Sequence, residues 1–535
     1  MSTHVRHLRS KIPSGVLPSL RLRRTPPLRL ASSASLPTKT NAFIAGVDEA
    51  HPPSSPPTDG ARFRLAVKDN IAAQGLPTTC ASRILTGHEV PFTATIVTQI
   101  EQRLGAELWG KTNMDEFGMG THSTNTPYGQ VSNQLEGRSA GGSSGGSAVA
   151  VGMGHATVAL GTDTGGSIRM PAAYTNTVGF KPSYGMLSRW GVVPYANSLD
   201  TVGLIAKEVA PIQEIIYAVC MEHDPKDPTS LPATVRERCV SERQYYPSSR
   251  GTPPPDFPSQ GLRGLTFGLP IEYNIEELSP RIKEGWMQVA DKIMEQGGRV
   301  VPVSLPSTKS ALSAYYVIAP AEAASNLSKY DGIRYGKRAS PASSPGDNSD
   351  ALNGILYAKT RGEGFGPEVK RRILLGSYTL SSEAVDNYFK QAQRVRRLVR
   401  RDFDRVFRLP NPLLENEHGD DGNKEQQFDL SDMDESVTLE SKLGPTQIDF
   451  LLCPTAPTTP PKLSDIAKQT PFDSYMNDVF TVPASLAGLP AISIPMALPK
   501  SEEDPVDFGG VQLIGQFWDD ARLLAVTGHI RSGQQ

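Results

Sequence analysis

The 535-residue chain has only four cysteines, Cys80, Cys220, Cys239 and Cys453, and no C-x-x-C pair among them. That scarcity excludes a disulfide framework or a zinc ribbon and fits a reducing compartment. No apolar run approaches the roughly 20 residues that span a bilayer, so no membrane contact is expected. The formal net charge is −2, which gives no basic field to attract a nucleic acid. The glycine-rich stretches are not followed by the lysine of a phosphate-binding G-x-x-x-x-G-K-[ST] loop. Acidic residues are also missing from Met1 to Val47, where Arg6, Arg9, Lys11, Arg21, Arg23, Arg24 and Arg29 recur among Ser, Thr and Leu. Arg-rich, Ser-containing, acid-free starts are those of mitochondrial transit peptides. Residues 1–38 are expected to be one, delivering the chain to the matrix. The alternative is a basic disordered tail.

After a Pro-rich join at 51–60, periodic patterning begins. RLAV (64–67) reads as a buried strand, and TIVTQIEQRLGAELWGKTN as a helix followed by a strand. The alternation continues to about 220, the signature of an α/β layer fold. Residues 225–260, rich in Pro, Ser and Arg, read as a disordered surface excursion. Residues 411–447 are acidic and polar with little to bury, and read as a disordered insertion. The strand IDFLLCP, the stretches SLAGLPAISIPMAL and GVQLIG and the helix DDARLLAVTGHIRS then close the chain. The expectation is a single large α/β domain over 39–535, interrupted by two insertions.

The run AGGSSGGS (140–147) has the composition of a flexible linker. It leads, however, into SAVAVGMGHATVAL, which is apolar enough to be core. Its glycines therefore read as places where backbone comes close to something or turns with positive φ. A nucleophile elbow, G-x-S-x-G, matches at Gly141, Ser143 and Gly145, but that motif needs a buried strand before the serine and polar residues precede it here. A second cluster, LGTDTGGSIRMPAA, follows. Thr164, Gly165 and Gly166 could direct N–H groups into one concavity beside Ser167, forming either an oxyanion hole or a plain tight turn. Each donor of such a hole is worth roughly 3–4 kcal/mol to a tetrahedral intermediate. A serine nucleophile needs a base, and none of the nine histidines sits in a triad-like motif. Lys68, at the end of RLAVKDN, is the other candidate. A lysine that loses hydration at a strand end can become neutral enough to take a proton, although such a lysine can equally stay solvated.

In order and spacing, AVKDN, GGSSGGS and GTDTGGSIRMPAA resemble the amidase signature family. The resemblance implies Ser167 as nucleophile, Ser143 as the serine that relays protons between it and Lys68, and a cis peptide bond at Gly142–Ser143. It also implies an oxyanion hole from the N–H groups of Thr164 to Ser167, no metal, and a fold with a central mixed β-sheet wrapped by helices. Within the family, SAYYVIAPAEAASNLSKYDGIRYG (313–336), FGPEVKRRILLGSYTLSS (365–382) and MNDVFTVPASLAGLPAISIP (476–495) are similar to the A-subunit branch that frees ammonia from glutamine for glutamyl-tRNA(Gln) amidotransferases. That similarity covers about 41–410 and 448–530. It implies that Asp478 holds the substrate ammonium, that Arg372 holds its carboxylate, and that Tyr315 or its neighbour Tyr316 adds a hydrogen bond. On local sequence alone, KRR at 370–372 reads equally as a solvated helix face and Asp478 as a helix cap. The implied partners are a B subunit, which would use ATP and Mg and handle Glu-tRNA(Gln), and a small third subunit. The branch's N-terminal helical segment is mostly missing here, with NAFIA as its only remnant. A free-standing amidase of small or fatty amides would need an apolar pocket in place of the Arg/Asp pair. A non-enzymatic scaffold would need a broken triad.

Overall fold

The computed structural model describes residues 40–46, 62–241, 243, 261–339, 357–414 and 447–532. The expected transit segment and residues 415–446 of the acidic insertion lie outside them. All of the described residues fall in one compact unit, Leu36–Gln535.

The strands are β1 (Phe43–Ala45), β2 (Phe63–Lys68), β3 (Ala106–Thr112), β4 (Val158–Asp163), β5 (Val178–Lys181), β6 (Thr201–Ala206), β7 (Thr266–Pro270), β8 (Arg299–Val303), β9 (Phe450–Pro454), β10 (Ala491–Ala497) and β11 (Phe508–Ile514). They form one sheet in the order β1-β3-β2-β4-β6-β5-β10-β11-β9-β7-β8. β2 runs parallel to β3 and β4, and β7 parallel to β8 and β9. The pairs linking β4 through β6, β5, β10 and β11 to β9 are antiparallel. The sheet is therefore mixed, as the family resemblance implies. Strands β4, β6, β9 and β11 are buried along their whole length, which fits their nearly continuous apolar sequences and cover on both faces.

Alternation along the strands sorts side chains between two layers. Leu65, Val67, Val158, Leu160 and Leu204 pack into the larger core with the helices Thr95–Leu104 and Val209–Val219. Ala66, Ala159 and Ile205 face the other way, against Ala148–Val151 of the helix Gly145–Gly152. The alanines on that second face let the helix, built of Gly, Ser, Ala and Val, lie close to the sheet. Lys68, two residues beyond Ala66, shares its face.

The excursion expected over 225–260 is corrected in its first half. The chain from Asp224 turns into a helix, Ala233–Ser241, that buries Arg236 and Cys239. The Arg236 guanidinium donates to the carbonyls of Leu231, Met186 and Gly185 and to Ser230 Oγ. A charge that reads as solvent-facing is instead absorbed by backbone carbonyls, which raw composition does not reveal.

Candidate active site

Lys68 ends β2 with its side chain fully buried. Its Nζ lies 2.8 Å from Ser143 Oγ, 2.7 Å from Ser144 Oγ and 3.0 Å from Thr162 Oγ1. Burial pulls its pKa down to about 7, against the opposing fields of Asp115, Asp163, Asp200 and Cys80. Loss of hydration thus outweighs several neighbouring carboxylates, and near neutral pH a large share of the amine is unprotonated. Asp115 is also buried, accepts the N–H groups of Ser123 and Asn125 at 2.8 and 3.0 Å, and is pushed up to about 6, chiefly by the same desolvation.

Ser143 follows a cis peptide bond, Gly142–Ser143, as the resemblance implies. The Gly/Ser run is not a linker: a Cβ on Gly142 would collide with Asp115 Oδ2 and sit 2.6 Å from the backbone nitrogen of His122. The backbone packs where no side chain fits, and the carbonyl of Ser143 accepts the N–H of Asp115 at 3.2 Å.

Ser167 is half-buried in the loop between β4 and the helix Arg169–Tyr174. Its carbonyl accepts the N–H of Ser144 at 3.1 Å, which ties its loop to the loop carrying Ser143. The bend around it is held from beneath. Asp163 Oδ2 accepts the N–H of Ile168 at 3.2 Å, and its carboxylate pairs with the fully buried Arg169 at 2.9 and 3.0 Å. Arg169 reaches on to the carbonyl of Thr481 and to Ser485 Oγ. Burial alone would raise the Asp163 pKa; the Arg169 charge and its hydrogen bonds hold it below the ordinary carboxylate value. Thr164 donates to Asp200, and the N–H groups of Gly165, Gly166 and Ser167 meet no acceptor among the described residues. The arrangement is that of a nest open to an anion.

The side chains expected to bind a zwitterion cluster beside this loop. Arg372, on the helix Pro367–Thr379, is buried, so it is not part of a solvated face. Its Nη1 donates to Tyr195 Oη at 2.7 Å and its Nε to Glu368 Oε1 at 2.7 Å. The guanidinium carbon lies 5.8, 5.3 and 5.4 Å from the ring centres of Tyr195, Tyr316 and Tyr475. Asp478 accepts the Tyr316 hydroxyl at 2.8 Å and is pushed up to about 7 by burial. The two candidate tyrosines make different contacts. Tyr316 meets Asp478, while Tyr315 lies against the 164–167 loop, where a Cβ on Gly165 would come within 2.7 Å of its hydroxyl oxygen. Thr481 joins both regions, donating to the Gly165 carbonyl at 2.6 Å.

Sequence reasoning missed Ser144, Thr162, Tyr195, Glu368 and Tyr475. The only signal for Glu368 was its i,i+4 spacing from Arg372. A cleft of about 750 Å³ is lined by Glu116, Asn125, Gly366, Glu368 and Lys370. A second, of about 560 Å³, is lined by Arg138, Phe472, Asn477 and Asp504. Ser167 lines neither of these two. Among the described residues no group of three or more His, Cys, Asp or Glu side chains is placed to hold a metal ion, and no helix is long and apolar enough to cross a membrane.

Residues 64–524 match the Amidase family. The chain is 58% identical over 478 residues to the A subunit of the mitochondrial glutamyl-tRNA(Gln) amidotransferase of Fusarium vanettenii, covering 88% of this chain and 87% of the relative. It is 57% identical over 521 residues to the protein of the same name from Neurospora crassa, covering 91% and 92%. Among solved structures, the A subunit of the glutamyl-tRNA(Gln) amidotransferase of Thermotoga maritima superposes with a TM-score of 0.65 at 32% identity, covering 91% of this chain and 86% of that one. The chain belongs to the amidase family, in the group of the glutamyl-tRNA(Gln) amidotransferase A subunits.

Proposed function

We propose that the chain is the glutamine-hydrolysing component of a mitochondrial glutamyl-tRNA(Gln) amidotransferase, and that Lys68, Ser143 and Ser167 perform the hydrolysis. The observation that carries the chemistry is the buried Lys68 amine, 2.8 Å from Ser143 Oγ. Glutamine sits with its carboxylate toward Arg372 and its ammonium toward Asp478, a charge pair that an apolar amide would leave unmatched. Neutral Lys68 takes a proton from Ser143, which takes one from Ser167 as Ser167 Oγ attacks the side-chain amide carbon. The carbonyl oxygen becomes an oxyanion and is met by the N–H groups of the 164–167 loop. Collapse of the tetrahedral intermediate breaks the C–N bond. The proton returns through Ser143 to the leaving nitrogen, releasing ammonia and leaving an acyl-enzyme on Ser167. Water attacks this ester by the same relay, giving glutamate and restoring the three residues.

The relatives are named as one lettered component of an amidotransferase, which supports further components. In this reading a B subunit uses ATP and Mg to activate Glu-tRNA(Gln) and accepts the ammonia, and a small third subunit completes the complex. The polar cage around Arg372 favours this over a free-standing amidase of apolar amides.

The test is ammonia release from glutamine, measured with and without the B subunit. Replacing the nucleophile of a triad costs on the order of 10⁶ in kcat, so Ser167→Ala should reduce release to background. Wild-type release confined to simple amides and indifferent to the partner would instead favour the amidase.

A further inference from the structure

The substrate-facing arginine is itself held by a carboxylate that belongs to no catalytic group. Glu368 and Arg372 stand four residues apart on the helix Pro367–Thr379, both buried, with the acid N-terminal to the base. Glu368 Oε1 accepts the Arg372 Nε–H at 2.7 Å and the Tyr475 hydroxyl at 3.0 Å, while Oε2 pairs with Arg371. The Tyr475 ring stacks on Tyr316 at 4.0 Å between centres, and the Tyr316 hydroxyl donates to Asp478. One connected set of contacts thus runs from Glu368 through Arg372, Tyr475 and Tyr316 to Asp478.

A guanidinium offers a carboxylate two forked edges, Nε with Nη2 along its side and Nη1 with Nη2 across its end. Here Glu368 occupies Nε and Tyr195 takes one Nη1 proton, while Nη2 meets no partner among the described residues. Nη2 is thus the nitrogen left for an incoming carboxylate.

We propose that Glu368 is a positioning residue that occupies Nε of Arg372, so that the substrate carboxylate is received at Nη2, at a distance from Asp478 set by the Tyr475–Tyr316 stack. This rests on the glutamine-binding reading of Arg372 and adds a determinant of specificity for an α-amino-acid zwitterion. Two immobile handles at set spacing admit a carboxylate and an ammonium on one carbon. Amides lacking the ammonium leave Asp478 without a cation, and those lacking the carboxylate leave the Arg372 Nη2 protons without an acceptor.

The assay compares glutamine with 4-aminobutanamide, which is glutamine without its carboxylate, using the full chain in its assembled complex. Glu368→Gln keeps the shape and removes the charge. It should raise the KM for glutamine roughly 10-fold or more, the scale of a charge-assisted hydrogen bond, with a much smaller change in kcat and a far smaller effect on 4-aminobutanamide. Should Glu368→Gln not fold, as read by thermal melting, Glu368→Asp gives the same comparison, because its shorter side chain withdraws the carboxylate from Nε. Equal losses on both substrates would mark a purely structural role and overturn the proposal, as would an unchanged glutamine KM. Arg372→Ala is run beside them. An unchanged glutamine KM in that variant would sink the carboxylate-site reading itself, whereas a raised KM there with an inert Glu368→Gln would remove only the positioning role.

Discussion

Buried in a site that also contains Asp115 and Asp163, Lys68 has a pKa near 7 because removing water costs its charge more than the nearby carboxylates return. A base must be unprotonated to act, so kcat/KM should fall as pH drops below about 7 and level off above it, which a pH profile of glutamine hydrolysis would read. A profile flat from pH 6 to 8 would remove Lys68 as the base. Stability follows with a definite sign. The folded-state pKa lies below the ordinary lysine value of 10.5, so above pH 7 the unfolded chain binds a proton that the folded chain has released. This group therefore adds stability as pH rises from about 7 toward 10.5 and penalises the fold below it. The same reasoning explains how much of the site the sequence discloses. Lys68, Ser143 and Ser167 are legible because they lie in Gly/Ser-rich runs and at a strand end. Ser144, 2.7 Å from the same amine, is hidden as one more serine in such a run. Glu368 and Arg372 look like a helix surface until tertiary packing closes over them.

Among the helices, the contact that places Arg372 is the approach of Pro367–Thr379 to Ala311–Leu327, the helix carrying Tyr315 and Tyr316. It depends on Gly376, where a Cβ would run into the carbonyl oxygen of Pro320. Gly376→Ala must push the two helices apart. It is expected to destabilise by about 1–3 kcal/mol, the scale of an overpacked core, and to raise the glutamine KM by moving Arg372 away from Tyr316. Denaturant unfolding and steady-state kinetics would check both, and an unchanged midpoint would contradict the close approach. Strands and helices were for the most part visible as patterns: IDFLLCP folds as β9, GVQLIG as part of β11 and DDARLLAVTGHIRS as the helix Asp520–Ser532. The helix Ala233–Ser241 was not, because its charged residues suggest exposure while Arg236 is spent on buried carbonyls.

Over the whole molecule, the sheet order could not be read from the sequence, since pairing partners are set by packing among distant segments. β10, β11 and β9, all from beyond residue 447, lie between β5 and β7. Asp163 and Arg169 fasten the same C-terminal segment to the loop carrying Ser167 through Thr481 and Ser485. A chain ending at 446 should therefore lose its cooperative thermal transition rather than merely some activity, and a native-like melt from that fragment would show the centre of the sheet to be dispensable. During synthesis or import the consequence concerns timing. Ser167 and Lys68 arrive early, but Asp478 and the strands that seal the sheet arrive last. An unfinished chain holds the proposed nucleophile with half of the proposed substrate site and two bare sheet edges. Its bare edges would template mispairing, and without Asp478 the proposed glutamine site is incomplete.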